Sequence, residues 1–230
     1  MKSFIKIFLV LLVISLPILL ATTAIRIALT PVYVSVEYQM PGFPADDYGF
    51  TTADRLTWSR YSVDYLLGRI THEAFTDQRL PDGTPLFNER ELSHMLDVRN
   101  LTAIVLKVWL GMLAFLILTA SLCWTAKAQT AWFRALRSGA MLTLGIIFAI
   151  LFYLTLNFNQ LFTQFHQLFF QGDSWLFLMS DNLIRLFPIR FWRDIFIFIG
   201  SLCILMAVLL VLVSTRYLKK NKSDSSLRSE

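Results

Sequence analysis

Four stretches of this 230-residue chain, at 5–24, 101–124, 141–156 and 195–213, are runs made almost wholly of apolar residues. A bilayer has a hydrocarbon core about 30 Å thick and needs about 20 predominantly apolar residues per spanning helix, so these runs constrain the fold more than anything else in the sequence. The third reaches that length only if Phe158, Leu161 and Phe162 extend it. With 56% hydrophobic and 16% charged residues and a mean hydropathy of +0.57, the chain lies far from the balance of a soluble domain. The expected fold class is an α-helical membrane protein: a four-helix transmembrane bundle with a small α+β extracytoplasmic cap.

The net charge of +5 would suit nucleic acid, but where the charges lie matters more than their sum. Lys2 precedes the first run and Lys6 lies at its start, Lys127, Arg134 and Arg137 occupy the short second connection, and Arg216, Lys219, Lys220 and Lys222 follow the fourth; the tail adds Asp224 and Glu230. From Arg26 to Arg99 the balance reverses, with seven Arg against eleven Asp plus Glu. The positive-inside rule then puts both termini and the short connection in the cytoplasm and the long loop outside. Nucleic acid is not an expected partner. The expected partition is a first transmembrane helix over 1–25, an extracytoplasmic cap over 26–100, a second transmembrane helix over 101–125 and a cytoplasmic loop over 126–138. A third transmembrane helix over 139–160, an aromatic extracytoplasmic interfacial segment over 161–193, a fourth helix over 194–215 and a cytoplasmic tail over 216–230 complete it. Lys2, Lys6 and Thr22-Thr23-Ala24 around the first run also fit a cleavable signal peptide. The run is longer than a usual signal core, so an uncleaved anchor is expected.

Within the cap, Val32, Val34, Val36 and Tyr38 alternate with Tyr33, Ser35 and Glu37, the period of a strand. After Thr52, a plausible cap, Leu56, Tyr61, Val63, Leu66, Leu67 and Ile70 predict a helix ending near Gly68. Leu80-Pro81-Asp82-Gly83-Thr84-Pro85 is a turn that predicts a short hairpin or a looser connection. Asn88 followed by Glu91 reads as a cap with its reciprocal carboxylate. Nothing then breaks a helix until well past Trp109, which carries Glu91, His94, Asp97 and Arg99 to the edge of the second apolar run. Cys123 and Cys203 lie in apolar runs, so neither a disulfide framework nor a cysteine metal site is expected.

The three histidines fall outside the apolar runs. His72 sits in a polar turn. His94 has Asp97 three residues on, close enough on a helix to orient it. His166 lies in Phe165-His166-Gln167-Leu168-Phe169-Phe170, within a stretch too aromatic for a solvated loop. A lone interfacial histidine is usually an amphipathic ring hydrogen-bonded at headgroup level. Two at matched depth in a water-poor aromatic pocket suit general acid–base chemistry on an ester or amide. Metal binding by this pair and a carboxylate is conceivable, but no close ligand spacing, phosphate loop or nucleophile elbow is present. A non-enzymatic protein that grips acyl chains through the aromatic segment is the competing reading. A transporter is disfavoured by the lack of acidic residues within the runs.

His94-Met95-Leu96-Asp97-Val98-Arg99, Phe165-His166 with Phe169-Phe170, Trp175, Leu183-Ile184, Phe187-Pro188 and Phe191-Trp192 together resemble the lipoprotein intramolecular transacylase family, Lit, over nearly the whole chain. The resemblance implies a bacterial cell-membrane enzyme with four spanning helices and an extracellular cap. It would need no cofactor and no metal, its partners being a diacylglyceryl-modified lipoprotein substrate and the surrounding membrane lipids. The implied reaction moves the sn-2 acyl chain of that lipoprotein to the α-amino group of its N-terminal cysteine, giving the lyso form. His166 and His94 match the catalytic motifs. His166 is expected as the general base and His94 as the orienting or oxyanion-stabilising group, the reverse assignment staying open. Asp97, Arg99, Phe165, Phe169, Phe170 and Trp175 are the expected orienting or substrate-binding residues. Arg99, Arg185, Arg190 and Arg193 are candidates for lipid phosphate, a role that position does not establish.

Overall fold

A computed structural model describes residues 2–227; Met1 and the last residues of the tail, 228–230, lie outside it. The described residues form nine helices: α1 (Lys2–Ala28), α2 (Pro31–Glu37), α3 (Thr52–Leu66), α4 (His72–Thr76), α5 (Glu89–Thr125), α6 (Gln129–Leu156), α7 (Phe158–Phe169), α8 (Asn182–Leu186) and α9 (Ile189–Leu227). Four of these, α1, α5, α6 and α9, are long and apolar enough to cross a membrane. At 1.5 Å per residue the 37 residues of α5 are about 55 Å long, far more than a bilayer core needs. Its polar first turns, up to Asn100, are therefore read as lying beyond the apolar run.

The chain forms two compact units. One consists of the chain up to Ile25, Lys107–Tyr153 and the chain from Phe198 on. Here Leu12, Leu16, Leu19 and Leu20 pack with Ala135, Leu136, Ala140 and Ala207, small residues letting the helices approach closely. A Cβ on Gly139 would fall 2.9 Å from Leu16 Cδ2 and 3.0 Å from the Val13 carbonyl, so that contact requires glycine. Two indole N–H groups are satisfied within the apolar interior: Trp109 donates to Thr23 Oγ1 at 3.1 Å and Trp132 to Thr119 Oγ1 at 3.2 Å. The stretch expected as a loop over 126–138 is helical from Gln129 onward, because the turn needs only Ala126 to Ala128, with Lys127 at φ 54°.

The second unit, Arg26–Leu106 with Leu154–Ile197, is where the expected cap is corrected. Among the described residues it contains no strand, so its α+β character gives way to helices joined by turns. The supposed strand at Val32 to Tyr38 is α2. Thr30 caps it, accepting from the Tyr33 N–H at 3.3 Å, and Pro31 occupies the first turn, where a missing N–H costs nothing. Tyr33, Val34, Glu37 and Tyr38 are buried while Val32 and Val36 are exposed, a helical stripe that the alternation disguised. The expected hairpin survives as one antiparallel bridge, Arg79 to Pro85. The cap of α3 lies one residue earlier than expected, at Thr51, which forms a reciprocal capping box with Asp54. Gly68, at φ 70°, ends it. Asn157 caps α7, accepting from the Gln160 N–H at 3.1 Å, so the third apolar helix stops at Leu156 rather than running on to 160.

Candidate active site

The Asn88–Glu91 box starts α5 as expected: the Asn88 N–H donates to Glu91 Oε2 at 2.8 Å and the Glu91 N–H to Asn88 Oδ1 at 3.0 Å. Glu91, His94, Met95 and Thr102 then share the buried face, His94 and Met95 lying three and four residues after Glu91 and Thr102 seven after Met95. On α7, Phe158, Phe162, Phe165, His166 and Phe169 recur at helical spacing, and His166 is the residue of that helix that becomes buried. Both imidazoles are 6% exposed, and their rings stack with centroids 6.0 Å apart and planes 23° from parallel. The two histidines singled out in the sequence, 72 residues apart, are thus brought together.

Aromatic rings wall the pair. Phe170 lies 4.9 Å from His94 and 5.6 Å from His166, Phe177 meets His94 edge-on at 5.3 Å, and Trp175 tilts over His166 at 5.0 Å. Phe162 and Phe165 approach His166 at 4.1 and 5.6 Å, while Phe169 packs on Phe165 from a more exposed position. Trp175 is steadied by its indole N–H on the Gly172 carbonyl at 3.1 Å.

Electrostatics follow from that burial. His94 lies seven residues, about 10 Å, before the apolar run that begins at Leu101. Burial, reinforced by the charge His166 would carry, pushes the His94 pKa down to about 4. Burial also lowers that of His166, against the hydrogen bond at 2.8 Å between its Nδ1 and the Phe162 carbonyl. Both rings are therefore neutral at pH 7. A carbonyl only accepts, so His166 carries its proton on Nδ1 and presents Nε2 as a lone pair. His94 Nδ1 is buried with no hydrogen-bond partner among the described residues.

One space is lined by His94, and a second shares Phe170 with the wall of the pair. An apolar cavity of about 90 Å³ is lined by His94, Tyr33, Val34, Leu183, Phe187 and Trp192, among others. A groove of about 430 Å³ is bounded by Asp97, Asn100, Leu101, Ile104, Phe169, Phe170 and Gln171. Among the described residues His94 and Asp97 share no hydrogen bond, and Asp97 lines the groove. Arg99 lies over the Tyr65 ring at 4.6 Å. The other arginines considered for lipid phosphate are also engaged by the protein. Arg185 pairs with Asp46 at 2.9 Å and lies 3.6 Å from the Phe50 ring centroid. Arg190 holds Asp194 at 3.1 Å and the Pro41 and Gly42 carbonyls, and Arg193 reaches Asp194 at 3.3 Å.

Sequence reasoning noticed Glu91 only as a capping residue. Its second oxygen accepts the Leu183 N–H at 2.6 Å, and Asn182 donates to the Leu86 carbonyl at 2.5 Å. Those bonds fix α8, and with it Leu183 and Phe187, beside α5. The spacing of Glu91 three residues before His94 was the available signal. The Phe162 carbonyl left none, since a backbone acceptor has no sequence signature.

The model of the lipoprotein intramolecular transacylase Lit family matches residues 8–192. An uncharacterized protein of Aquifex aeolicus (strain VF5) is 28% identical over 213 residues, covering 90% of this chain and 92% of its own. The solved in meso structure of the membrane integral lipoprotein intramolecular transacylase Lit from Bacillus cereus is similar at a TM-score of 0.69 and 18% identity, over 97% of this chain and 99% of that one. A structure of the same protein with one histidine replaced gives 0.67 at 18% identity, over 97% and 96%. With the family model spanning most of its length, the chain belongs to the lipoprotein intramolecular transacylase family and is a membrane-integral acyltransferase.

Proposed function

We propose that the chain moves the sn-2 acyl group of a diacylglyceryl lipoprotein to the α-amino group of that lipoprotein's N-terminal cysteine, with His166 as general base and His94 as oxyanion donor. The observation that carries this reading is the stacked, aromatic-walled imidazole pair, in which one ring has its Nδ1 committed to a backbone carbonyl.

The neutral amine attacks the ester carbonyl carbon, forming the C–N bond. As that bond forms the nitrogen turns acidic, and His166 Nε2 takes its proton. The carbonyl oxygen becomes an oxyanion. Burying a bare lone pair costs less than burying an unpaired N–H, which favours His94 with Nδ1 bare and its proton on Nε2, a donor for that oxyanion. Collapse breaks the bond to the sn-2 glyceryl oxygen, which takes the proton held by His166. One ester becomes one amide plus a free hydroxyl, and the base returns to its starting state. A depressed imidazole pKa helps the second half, because the imidazolium is then a stronger acid. Amine and ester belong to one substrate, so positioning alone can contribute about 7–11 kcal/mol of the barrier. Excluding water from the aromatic wall disfavours hydrolysis of the same ester.

The charge pattern supports an orientation in which both termini and 126–138 are cytoplasmic, 26–100 is an outside cap and 161–193 an interfacial segment, so that the histidines work at the extracytoplasmic face. The test is expression with a diacylated lipoprotein in a bacterium lacking other N-acylating enzymes, followed by mass spectrometry of the N-terminal lipopeptide. An acyl group on nitrogen in the wild type, lost in His166→Ala and His94→Ala at normal membrane levels, is expected. Transfer retained by both variants would refute the histidine assignment, and no transfer by the wild type would leave a lipid-binding role.

A further inference from the structure

The groove along α5 contains a charged group that the reaction above leaves unused. Asp97 is exposed on α5, and among the described residues it makes no hydrogen bond or ion pair. The nearest cation in sequence, Arg99, is taken up by the Tyr65 ring. One stripe of α5, Asp97, Asn100, Leu101 and Ile104, lines the groove together with Phe169, Phe170 and Gln171 at the end of α7, so its lining is both polar and apolar. Its volume of about 430 Å³ falls within the range of small-molecule sites, about 300–1,000 Å³. Phe170 is common to this groove and to the histidine pair, its ring 4.9 Å from that of His94. Asp97 is one helical turn from His94 on the same helix.

We infer that this groove is the entry subsite for the substrate's N-terminus, with Asp97 as the counter-ion of its α-ammonium group and Leu101, Ile104 and Phe170 taking the lipid attached to it. The inference rests on the O-to-N transfer proposed above.

A free α-amino group has a pKa of about 7.7–8.0, so at pH 7 the substrate arrives largely as a cation. A carboxylate at the groove selects that cation and brings it within one helical turn of His94. The product is an amide, which carries no charge at nitrogen under any physiological condition. Asp97 therefore holds substrate more tightly than product, and acyl transfer itself weakens the contact. A carboxylate placed against the reacting nitrogen would raise the amine pKa and hinder attack. Its position in the groove, across Phe170 from the pair, serves capture without that penalty at the point of attack.

The test uses purified full-length protein in lipid nanodiscs with a synthetic diacylglyceryl lipopeptide. At pH 7, Asp97→Asn is expected to raise KM by roughly tenfold, the asparagine keeping an acceptor but losing the charge, while kcat stays within about twofold. Above pH 9, where the amine is neutral, the wild type and Asp97→Asn should converge. Asp97→Glu should restore most of the difference. An N-acetylated lipopeptide, which cannot react, should inhibit both proteins equally. Equal loss at every pH, a fall in kcat with KM unchanged, or no change at all would overturn the inference while leaving the transfer reaction in place. Absence of transfer in the wild type would instead sink the reaction on which it rests.

Discussion

Replacing Glu91 by Gln probes how the start of α5 holds α8 beside the histidines. In the native chain one oxygen of Glu91 accepts the Leu183 N–H at 2.6 Å and the other the Asn88 N–H at 2.8 Å, with the residue 1% exposed. Glutamine matches it in size but turns one acceptor into a donor. Whichever way the amide lies, one backbone N–H then faces another N–H. A hydrogen bond to a charged group is worth about 1.5–3 kcal/mol, and a buried donor left unpaired costs about 1–3 kcal/mol. Burial acts in the opposite sense. It pushes the Glu91 carboxyl up from its ordinary value, the two backbone N–H groups only partly offsetting it, and a neutral amide relieves that cost. The net expectation is about 2 kcal/mol, roughly 30-fold in a local opening equilibrium. Amide hydrogen exchange followed by mass spectrometry reads this directly: peptides covering 181–187 should exchange about 30-fold faster in Glu91→Gln, while 107–125 stays at its native rate. Protection of 181–187 within about threefold of the wild type would show that Glu91 does not secure α8.

Four further outcomes are expected. Lowering pH from 6.5 to 4 should destabilise the unit that holds the pair. An unfolded His94 takes up a proton across that window and the folded one, with its pKa at about 4, does not, a loss of about 3 kcal/mol by the lower end; thermal unfolding in detergent across pH checks it, and a flat profile would contradict it. Trp175→Ala should let water reach His166, raising its depressed pKa and moving the acid limb of the transfer-rate profile upward. His72→Ala removes the partner that His72 Nδ1, at 2.8 Å, provides for the hydroxyl of buried Tyr65, costing about 1 kcal/mol of stability and leaving the transfer rate within about twofold. Gly139→Ala should cost about 1–3 kcal/mol in thermal unfolding, because its Cβ would meet both Leu16 and the rigid Val13 carbonyl.

The long helices were legible because a run of 20 apolar residues has few alternative meanings, and α5 because Asn88 and Glu91 form a local box whose two halves are three residues apart. Helix α2 was misread for a physical reason. Val32 and Val36 satisfy both period two and the i, i+4 rule, and the signals that discriminate, Thr30 and Pro31, precede the pattern. At the site, the histidines could be ranked from their aromatic company, but their stacking depends on contacts that no local pattern encodes. Glu91 to Leu183 spans 92 residues, and Asn182 to Leu86 spans 96. For Asp97, spacing of three on a helix allows a bond to His94 without requiring it, and the buried face of α5 places His94 against Phe170 and Phe177.

The most direct test of the histidine mechanism is single-turnover acyl transfer by purified protein on a diacylglyceryl lipopeptide, comparing the wild type with His166→Asn. Asparagine can hydrogen-bond but cannot take the proton from the attacking amine. The O-to-N transfer rate of the variant should fall by at least about 100-fold, the contribution of a positioned general base, with lipopeptide binding retained. A rate within about tenfold of the wild type would contradict a general base at His166.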